Sequence, residues 1–244
     1  MPLPITRKAI FSDIHGNIAA LECIIDDMNK QDFDALYWLG DIFENSDENV
    51  NLKNNLACLD ILVGLRETWK DRMVCMLGNR DMEIIVCRSA YNKVSSGLTS
   101  IHKELCSESQ NREKRWEFLH SLPRVHTDEN GIMFFHGSPR YPLMGYLVSQ
   151  NIFSPDIALE FAMIHNMGFH GHTHIADVFH SRQVSVEKPQ MEWFFPKKTE
   201  DDRKYFIGVG SVGEPRGEDA AYIYTILEEY EDKYCVKFKN FPIS

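Results

Sequence analysis

Five short apolar runs in this chain each end in a cluster of residue types that bind metals, and this repetition constrains the fold more than any other feature. Asp13-Ile14-His15 follows Lys8-Ala9-Ile10-Phe11, Gly40-Asp41 follows Ala35-Leu36-Tyr37-Trp38-Leu39, and Gly78-Asn79-Arg80-Asp81 follows Met73-Val74-Cys75-Met76-Leu77. His136-Gly137 closes Ile132-Met133-Phe134-Phe135, and His170-Gly171-His172-Thr173-His174 follows Gly168-Phe169. Short apolar runs read as buried strands, and in open α/β sheets ligands bind outside the carboxyl ends of the strands. Each cluster alone is a common pattern. Five in order at strand ends point to one shared site.

The segments between the runs have helical period. From 17 to 30, Ile18, Leu21, Ile24, Ile25 and Met28 share a face, with Asn17 suited to the N-cap. Leu52 to Val63 predicts a second helix, about 82–121 a charge-rich helical insertion, and about 156–166 another helix. Alternation of this kind marks βαβ units. Beyond 175 β-formers dominate, as in 221–226 and 233–238, which predicts a second sheet packed on the first. Without repeat, low-complexity tract or Pro/Gly linker, residues 1–244 read as one two-sheet domain, with Glu44 to Asn55 a solvated insertion. Trp193-Phe194-Phe195-Pro196 reads as inter-sheet packing, or, if exposed, as a dimer contact or stacking surface.

Charge and cysteine usage narrow the setting. With 36 Asp+Glu against 26 Lys+Arg, the net charge of -10 argues against a surface that coats long nucleic acid or anionic lipid. A mean hydropathy of -0.32 excludes a multispanning membrane protein. The six cysteines form no Cys-x-x-Cys pair and read as reduced core residues, and no signal-like apolar run precedes the first strand. A cytoplasmic location is expected.

The clusters also have internal sense. Asp13 and His15, at i and i+2, fall on one side of an extended segment and can grip one ion, and His172 and His174 share that spacing. Glycines 16, 40, 78, 137 and 171 adjoin the ligand candidates, where the backbone turns or approaches an ion closely. Imidazole, carboxylate and amide oxygen together suit first-row divalent ions better than Ca or Mg.

These motifs resemble the series of the calcineurin-like metallophosphoesterase superfamily: Asp-x-His, Gly-Asp, Gly-Asn-His-Asp/Glu, a lone His after a strand, and Gly-His-x-His. The resemblance spans about 7–225, and His136-Gly137-Ser138-Pro139-Arg140 and Gly210-Ser211-Val212-Gly213-Glu214-Pro215-Arg216 are similar to its small bacterial and archaeal branch. It implies a four-layer α/β/β/α sandwich of two packed mixed β-sheets flanked by helices. It also implies two divalent transition metal ions (Mn, Fe, Zn, Co or Ni, with Mn favoured). Asp13, His15 and His174 would hold the first ion, Asn79, His136 and His172 the second, and Asp41 both. The implied activity is hydrolysis of phosphate mono- or diesters by a metal-bridging hydroxide. The expected partner is a small phosphorylated substrate, a nucleotide or an activated ester.

One position departs from the series. Arg80 stands where the superfamily has the His that helps to protonate the leaving group. A guanidinium does not deprotonate near neutral pH, yet it can grip phosphate oxygens. Arg80 is therefore a catalytic and substrate-binding candidate, and Asp81 a second catalytic candidate, expected to hold it. Arg140 is a second substrate-binding candidate, Arg216 a weaker one. Two alternatives follow: a dinucleoside polyphosphate hydrolase, and a catalytically weak metal-binding scaffold, for which Arg80 is the only sequence support.

Overall fold

The computed structural model describes residues 3–44, 50–87, 96–107, 110–151, 154–182, 191–197, 202–217 and 220–243. The first expected strand and helix are β1 (Thr6–Phe11) and α1 (Ile18–Met28). Asn17 caps α1 as its spacing predicts, its side-chain oxygen accepting the Ala20 N–H at 3.1 Å. β2 (Ala35–Trp38), α2 (Leu52–Trp69) and β3 (Met73–Cys75) follow, and β1, β2 and β3 pair in parallel.

The segment 82–121 contains parts of three helices, α3 (Asn79–Val86), α4 (Ser96–Cys106) and α5 (Arg112–Ser121). Despite their charge they bury Ile84, Leu98, Ile101, Leu105, Phe118 and Leu119 in the same cluster as α1 and α2. β4 (Val125–Thr127) has no apolar run to announce it in the sequence; its three residues pair antiparallel with β5 (Met133–Phe135). The remaining elements are α6 (Pro155–Met163), β6 (Met167–His170), β7 (Ala176–His180), β8 (Glu192–Pro196), β9 (Tyr205–Val209), β10 (Tyr222–Glu229) and β11 (Lys233–Phe241).

Two mixed sheets result, ordered β3-β2-β1-β10-β11-β8 and β4-β5-β6-β9-β7. The β-rich last third does not form the second sheet by itself. β10 pairs antiparallel with β1, Ala9 facing Ile226, so that β1 is central in the first sheet, while β7 and β9 join β5 and β6 in the second. Strand propensity marks a segment as extended but does not choose its neighbour.

Alternation along the strands builds the layers. Ala9, Phe11, Leu36, Trp38, Tyr224 and Ile226 pack against the α1–α5 side. Ile10, Tyr37 and Leu227 point the other way and meet Phe134, Phe169 and Ile207 of the second sheet. On that sheet's far face Phe135, Phe179 and Phe206 receive Ile157 and Phe161 of α6. The order is the expected α/β/β/α. Each such fully buried side chain contributes about 1.5–3 kcal/mol of transfer free energy, so the inter-sheet seam, rich in Phe, holds the two sheets in fixed register.

The strand β8 resolves the aromatic cluster: Phe195 is buried in the seam and Trp193 packs on it, while Phe194 is exposed beneath the Lys233 ammonium. The cysteines divide. Cys58, Cys75 and Cys235 are buried, but Cys23 and Cys106 are exposed, a departure from the reading of all six as core; all are free. The expected solvated insertion 44–55 partly lies outside the described residues, and its end is ordered: Asn51 caps α2 and Asn55 is fully buried. Among the described residues no helix is long and apolar enough to cross a membrane.

Candidate metal centre

The polar clusters lie at the carboxyl ends of β1, β2, β3, β5 and β6, in loops except for Asn79, Arg80 and Asp81, which form the first turn of α3, and His170, which ends β6. Asp13, His15, Asp41, His172 and His174 all have left-handed backbone, with φ of 57°, 47°, 59°, 63° and 62°. The expectation that Asp13 and His15 share one side of an extended segment is thus incorrect. Asp and His tolerate this region better than most residues, at a cost of roughly 1–2 kcal/mol each. Interlocking backbone bonds offset that cost: Asp13 N–H donates to Gly40 O, Ile14 N–H to Asp41 O, Gly16 N–H to Ile42 O and Gly213 N–H to Asp13 O, at 2.8–2.9 Å.

Two groups of side chains result. Asp13, His15 and His174 form one, and Asp41, His136 and His172 the other. His15 Nε2 and His174 Nε2 are 3.1 Å apart, with Asp13 Oδ1 at 3.6 and 3.3 Å from them. In the second group His136 Nε2 lies 2.9 Å from Asn79 Oδ1 and 3.4 Å from Asp41 Oδ2. Asp41 Oδ2 is also 3.8 Å from His15 Nε2, between the two groups. All seven ligand candidates are therefore assembled. His172 and His174 part company, one to each group.

The tautomers favour a cation. Nδ1 of His15 donates to Phe43 O at 2.9 Å, Nδ1 of His136 to Leu39 O at 2.9 Å, and Nδ1 of His174 to Glu214 O at 2.6 Å. With each Nδ1 carrying its proton, the Nε2 lone pairs face inward, where His15 and His174 would repel without a positive charge between them. Asp13 Oδ1, fully buried, has no hydrogen-bond partner among the described residues. Ligand bonds of ~2.0–2.2 Å at tetrahedral or octahedral angles separate ligand atoms by roughly 2.8–3.6 Å, the spacing found here. The residues present fit divalent metal ions.

The electrostatics agree. Burial pulls the His15 imidazole down, but the Asp13 carboxylate 3.6 Å away and the field of Asp41 outweigh this and raise it to about 9. His136, pulled down by burial and pulled up by Asp41, is likewise raised to about 9. Burial pushes Asp13 up, yet His15 and His174 hold it well below the carboxylate range, and against the same burial His136 and His15 hold Asp41 low. The metal-free centre thus keeps its carboxylates charged and holds protons where ions would sit.

Asp81 differs from its expected role. It does not hold Arg80: its Oδ2 accepts the N–H groups of Asp41 and Gly78 and its Oδ1 that of Ile42, each at 2.9 Å. Burial and the charge of Asp41 push its carboxyl up to about 7, but three N–H donors face it, which is the surrounding of a carboxylate. It is a positioning residue that ties the end of β2 to the start of α3. Arg80 lies at the rim. Its backbone N–H donates to Asp41 Oδ1 at 2.8 Å, and its guanidinium pairs with Glu83 at 3.0 Å.

Arg140 faces away from the centre in its contacts, 3.6 Å from Asp156 of α6 and over the Tyr141 ring. Arg216 is exposed, while the segment around it serves the centre through Glu214 O, which orients His174. His170 is fully buried, bonded to Gly171 O at 3.1 Å, and does not reach the ligand groups by any hydrogen bond.

Asn55 escaped the sequence reading. Fully buried at the start of α2, it accepts the Glu44 N–H at 2.9 Å and donates to Asn51 O at 3.0 Å. The Glu44 N–H belongs to the same peptide unit as Phe43 O, which holds His15 Nδ1–H. Asn55 thus fixes the peptide that orients His15. Asn55→Ala is expected to weaken metal binding at the Asp13/His15/His174 group by about 10–100-fold while sparing the other group, as read by calorimetric titration with Mn²⁺; equal loss at both groups would refute this role.

Comparisons with known proteins agree with the fold. Residues 7–232 match the model of the calcineurin-like phosphoesterase superfamily domain. The uncharacterized protein MJ0912 of Methanocaldococcus jannaschii is 28% identical over 235 residues, covering 92% of this chain and 84% of its own length. Among solved structures, a metallophosphoesterase from Sphaerobacter thermophilus superposes with a TM-score of 0.71 at 24% identity, covering 97% of this chain and 89% of that one. A cold-active protein-tyrosine phosphatase from a Shewanella species gives 0.51 at 15% identity, over 93% and 78%. The chain belongs to the calcineurin-like phosphoesterase superfamily and, by that membership, is a metal-dependent phosphoric ester hydrolase.

Proposed function

We propose that this chain uses two divalent transition metal ions, with Mn favoured, to hydrolyse small phosphate esters or anhydrides whose leaving groups depart as anions. The observation that carries the reading is the position of Asp41 Oδ2 between the two ligand groups, 3.4 Å from His136 Nε2 and 3.8 Å from His15 Nε2. Two divalent ions, if held on either side of Asp41, would supply a nucleophilic hydroxide at neutral pH and polarise the phosphoryl group.

The chain's own part is placement. Asp13, His15 and His174 would hold one ion, Asn79, His136 and His172 the other, and Asp41 both. The Arg80 backbone N–H fixes Asp41 Oδ1 and leaves Oδ2 for the ions. The Arg80 guanidinium, held by a partly exposed i,i+3 pair with Glu83 that is worth only about 0–1 kcal/mol, exchanges cheaply onto phosphate oxygens. It stabilises developing charge but transfers no proton.

That substitution sets the leaving group. Without an imidazole at position 80, alkyl alcohols lack the general acid their departure needs, whereas phenolates and nucleoside phosphates do not. Arg80→His is expected to raise kcat/KM for alkyl phosphates by about 10²-fold or more and to leave p-nitrophenyl phosphate nearly unchanged. A wild-type rate that does not vary with leaving-group pKa, or an equal gain on both esters, would contradict this. Mn-stimulated release from p-nitrophenyl phosphate, bis(p-nitrophenyl) phosphate or diadenosine tetraphosphate separates the mono-, di- and polyphosphate readings; release from none of them would favour the scaffold.

A further inference from the structure

The loop that follows His136 is tightly built. Gly137 N–H donates to Pro142 O at 2.6 Å, and the N–H groups of Ser138, Met144 and Gly145 all donate to Tyr141 O at 2.8–3.1 Å. Ser138 Oγ donates to Glu160 Oε1 of α6 at 3.2 Å and accepts the Tyr141 N–H at 3.1 Å. Gly145 is pressed on Ser138 so closely that a Cβ there would overlap its hydroxyl.

This frame aims Tyr146 at the metal centre. Its ring meets that of His172 edge to face, centroids 5.6 Å apart at 77°, while 48% of the residue stays exposed. Among the described residues its hydroxyl has no hydrogen-bond partner, and Met144 and Tyr141 on the same loop are exposed as well. An aromatic ring held by a rigid loop, half in water and against a ligand candidate, adds little to the core. Beside a centre that handles phosphate anions it offers what the ligand groups lack, an apolar face.

We propose that Tyr146 is the wall against which the substrate's leaving group stacks, and that this leaving group carries a planar aromatic ring. The inference rests on the phosphoesterase reading and deepens it. An aryl phosphate, whose phenolate leaves, and a nucleoside diphosphate, whose nucleoside monophosphate leaves, both supply such a ring. Stacking on an aromatic side chain contributes about 1–2 kcal/mol, or roughly a 5–30-fold gain in affinity.

Binding of phosphonates, which cannot be hydrolysed, by the Mn-loaded protein tests this by calorimetry. One arm compares phenylphosphonate with methylphosphonate; the other compares α,β-methylene-ADP with the α,β-methylene analogue of ribose 5-diphosphate. In at least one arm the ring-bearing ligand is expected to bind about 5–30-fold more tightly, and that arm identifies the source of the ring. Tyr146→Ala should bring the ratio to about 1 and Tyr146→Phe should preserve it, with methylphosphonate affinity unchanged in both. If methylphosphonate binds but neither ring improves affinity, or if the gain survives Tyr146→Ala, the stacking wall is wrong and the phosphoesterase reading stands. If the Mn-loaded protein binds no phosphonate at all, the phosphoesterase reading itself fails and the wall with it.

Discussion

Asp41→Asn is expected to weaken both divalent ions together and to lower turnover of p-nitrophenyl phosphate by about 10³-fold or more, the scale of several kcal/mol of lost charge stabilisation. The substitution is nearly isosteric. Its amide oxygen can keep the bond from Arg80 N–H, now made to Asp41 Oδ1 at 2.8 Å. What changes is the other arm: an NH₂ group, neither anionic nor a ligand, faces His15 and His136, whose Nε2 atoms lie 3.8 and 3.4 Å from Oδ2. The charge that pushes Asp81 up also disappears, so the fold itself is expected to persist, with an unchanged far-ultraviolet dichroism spectrum. Asn79→Ala, by contrast, should loosen mainly the ion held with His136. Calorimetric titration of both variants reads the difference, and loss of one ion only from Asp41→Asn would remove the bridge between the two groups.

The second large effect is expected from a single methyl group. Gly78→Ala should destabilise the protein by about 1–3 kcal/mol, lowering Tm by roughly 3–10 °C, and should weaken metal binding at the same time. Backbone strain is not the cause, because Gly78 has φ of -91° and ψ of 172°, which any residue adopts. The cause is space: a Cβ at this position would overlap both Oδ1 and the backbone N of Asp41. Asp41 cannot yield freely, since its N–H is bonded to Asp81 and its Oδ1 to Arg80 N–H. Gly64, in the middle of α2, is the contrast, because a Cβ there would meet nothing within 4 Å; Gly64→Ala should stabilise by up to about 1 kcal/mol through helix propensity. Thermal melts of the two variants should move in opposite directions. A Gly78→Ala protein with unchanged Tm and metal affinity would show that the β2 and β3 loops are not packed as described.

The two variants show where the sequence is legible. Residue types at strand ends are enough to bring the five clusters together, while the choice of Asp13, His15, Asp41, Asn79, His136, His172 and His174 among them, rather than Asp81 or His170, comes from the resemblance to the superfamily's motif series. The backbone that presents them is not legible. Alternation rules apply to extended chain, and five of these residues are left-handed, a state fixed by bonds between loops as distant as Asp13 and Gly213.

Roles that depend on contact are hidden for the same reason. Asp81 sits beside Arg80 in sequence, which suggests an ion pair; its actual partners are three peptide N–H groups, two of them on the loop after β2. Asn55 lies in a stretch dense in Asn, Asp and Glu that resembles a solvated loop, and only the fold reveals it under the Phe43–Glu44 peptide. The sheets divide similarly. The strand character of 221–226 and 233–238 is plain, but a strand's composition does not say that β10 will lie beside β1 and leave β7 and β9 to the other sheet.

In the proposed centre one carboxylate, that of Asp41, joins two ions. Titration of the metal-free protein with Mn²⁺, followed by electron paramagnetic resonance, tests it most directly. Two ions should bind per chain and, at two equivalents, give the spectrum of a magnetically coupled pair at about 3.5–4 Å, with the coupling lost in Asp41→Asn. One ion per chain, or two with uncoupled spectra, would contradict it.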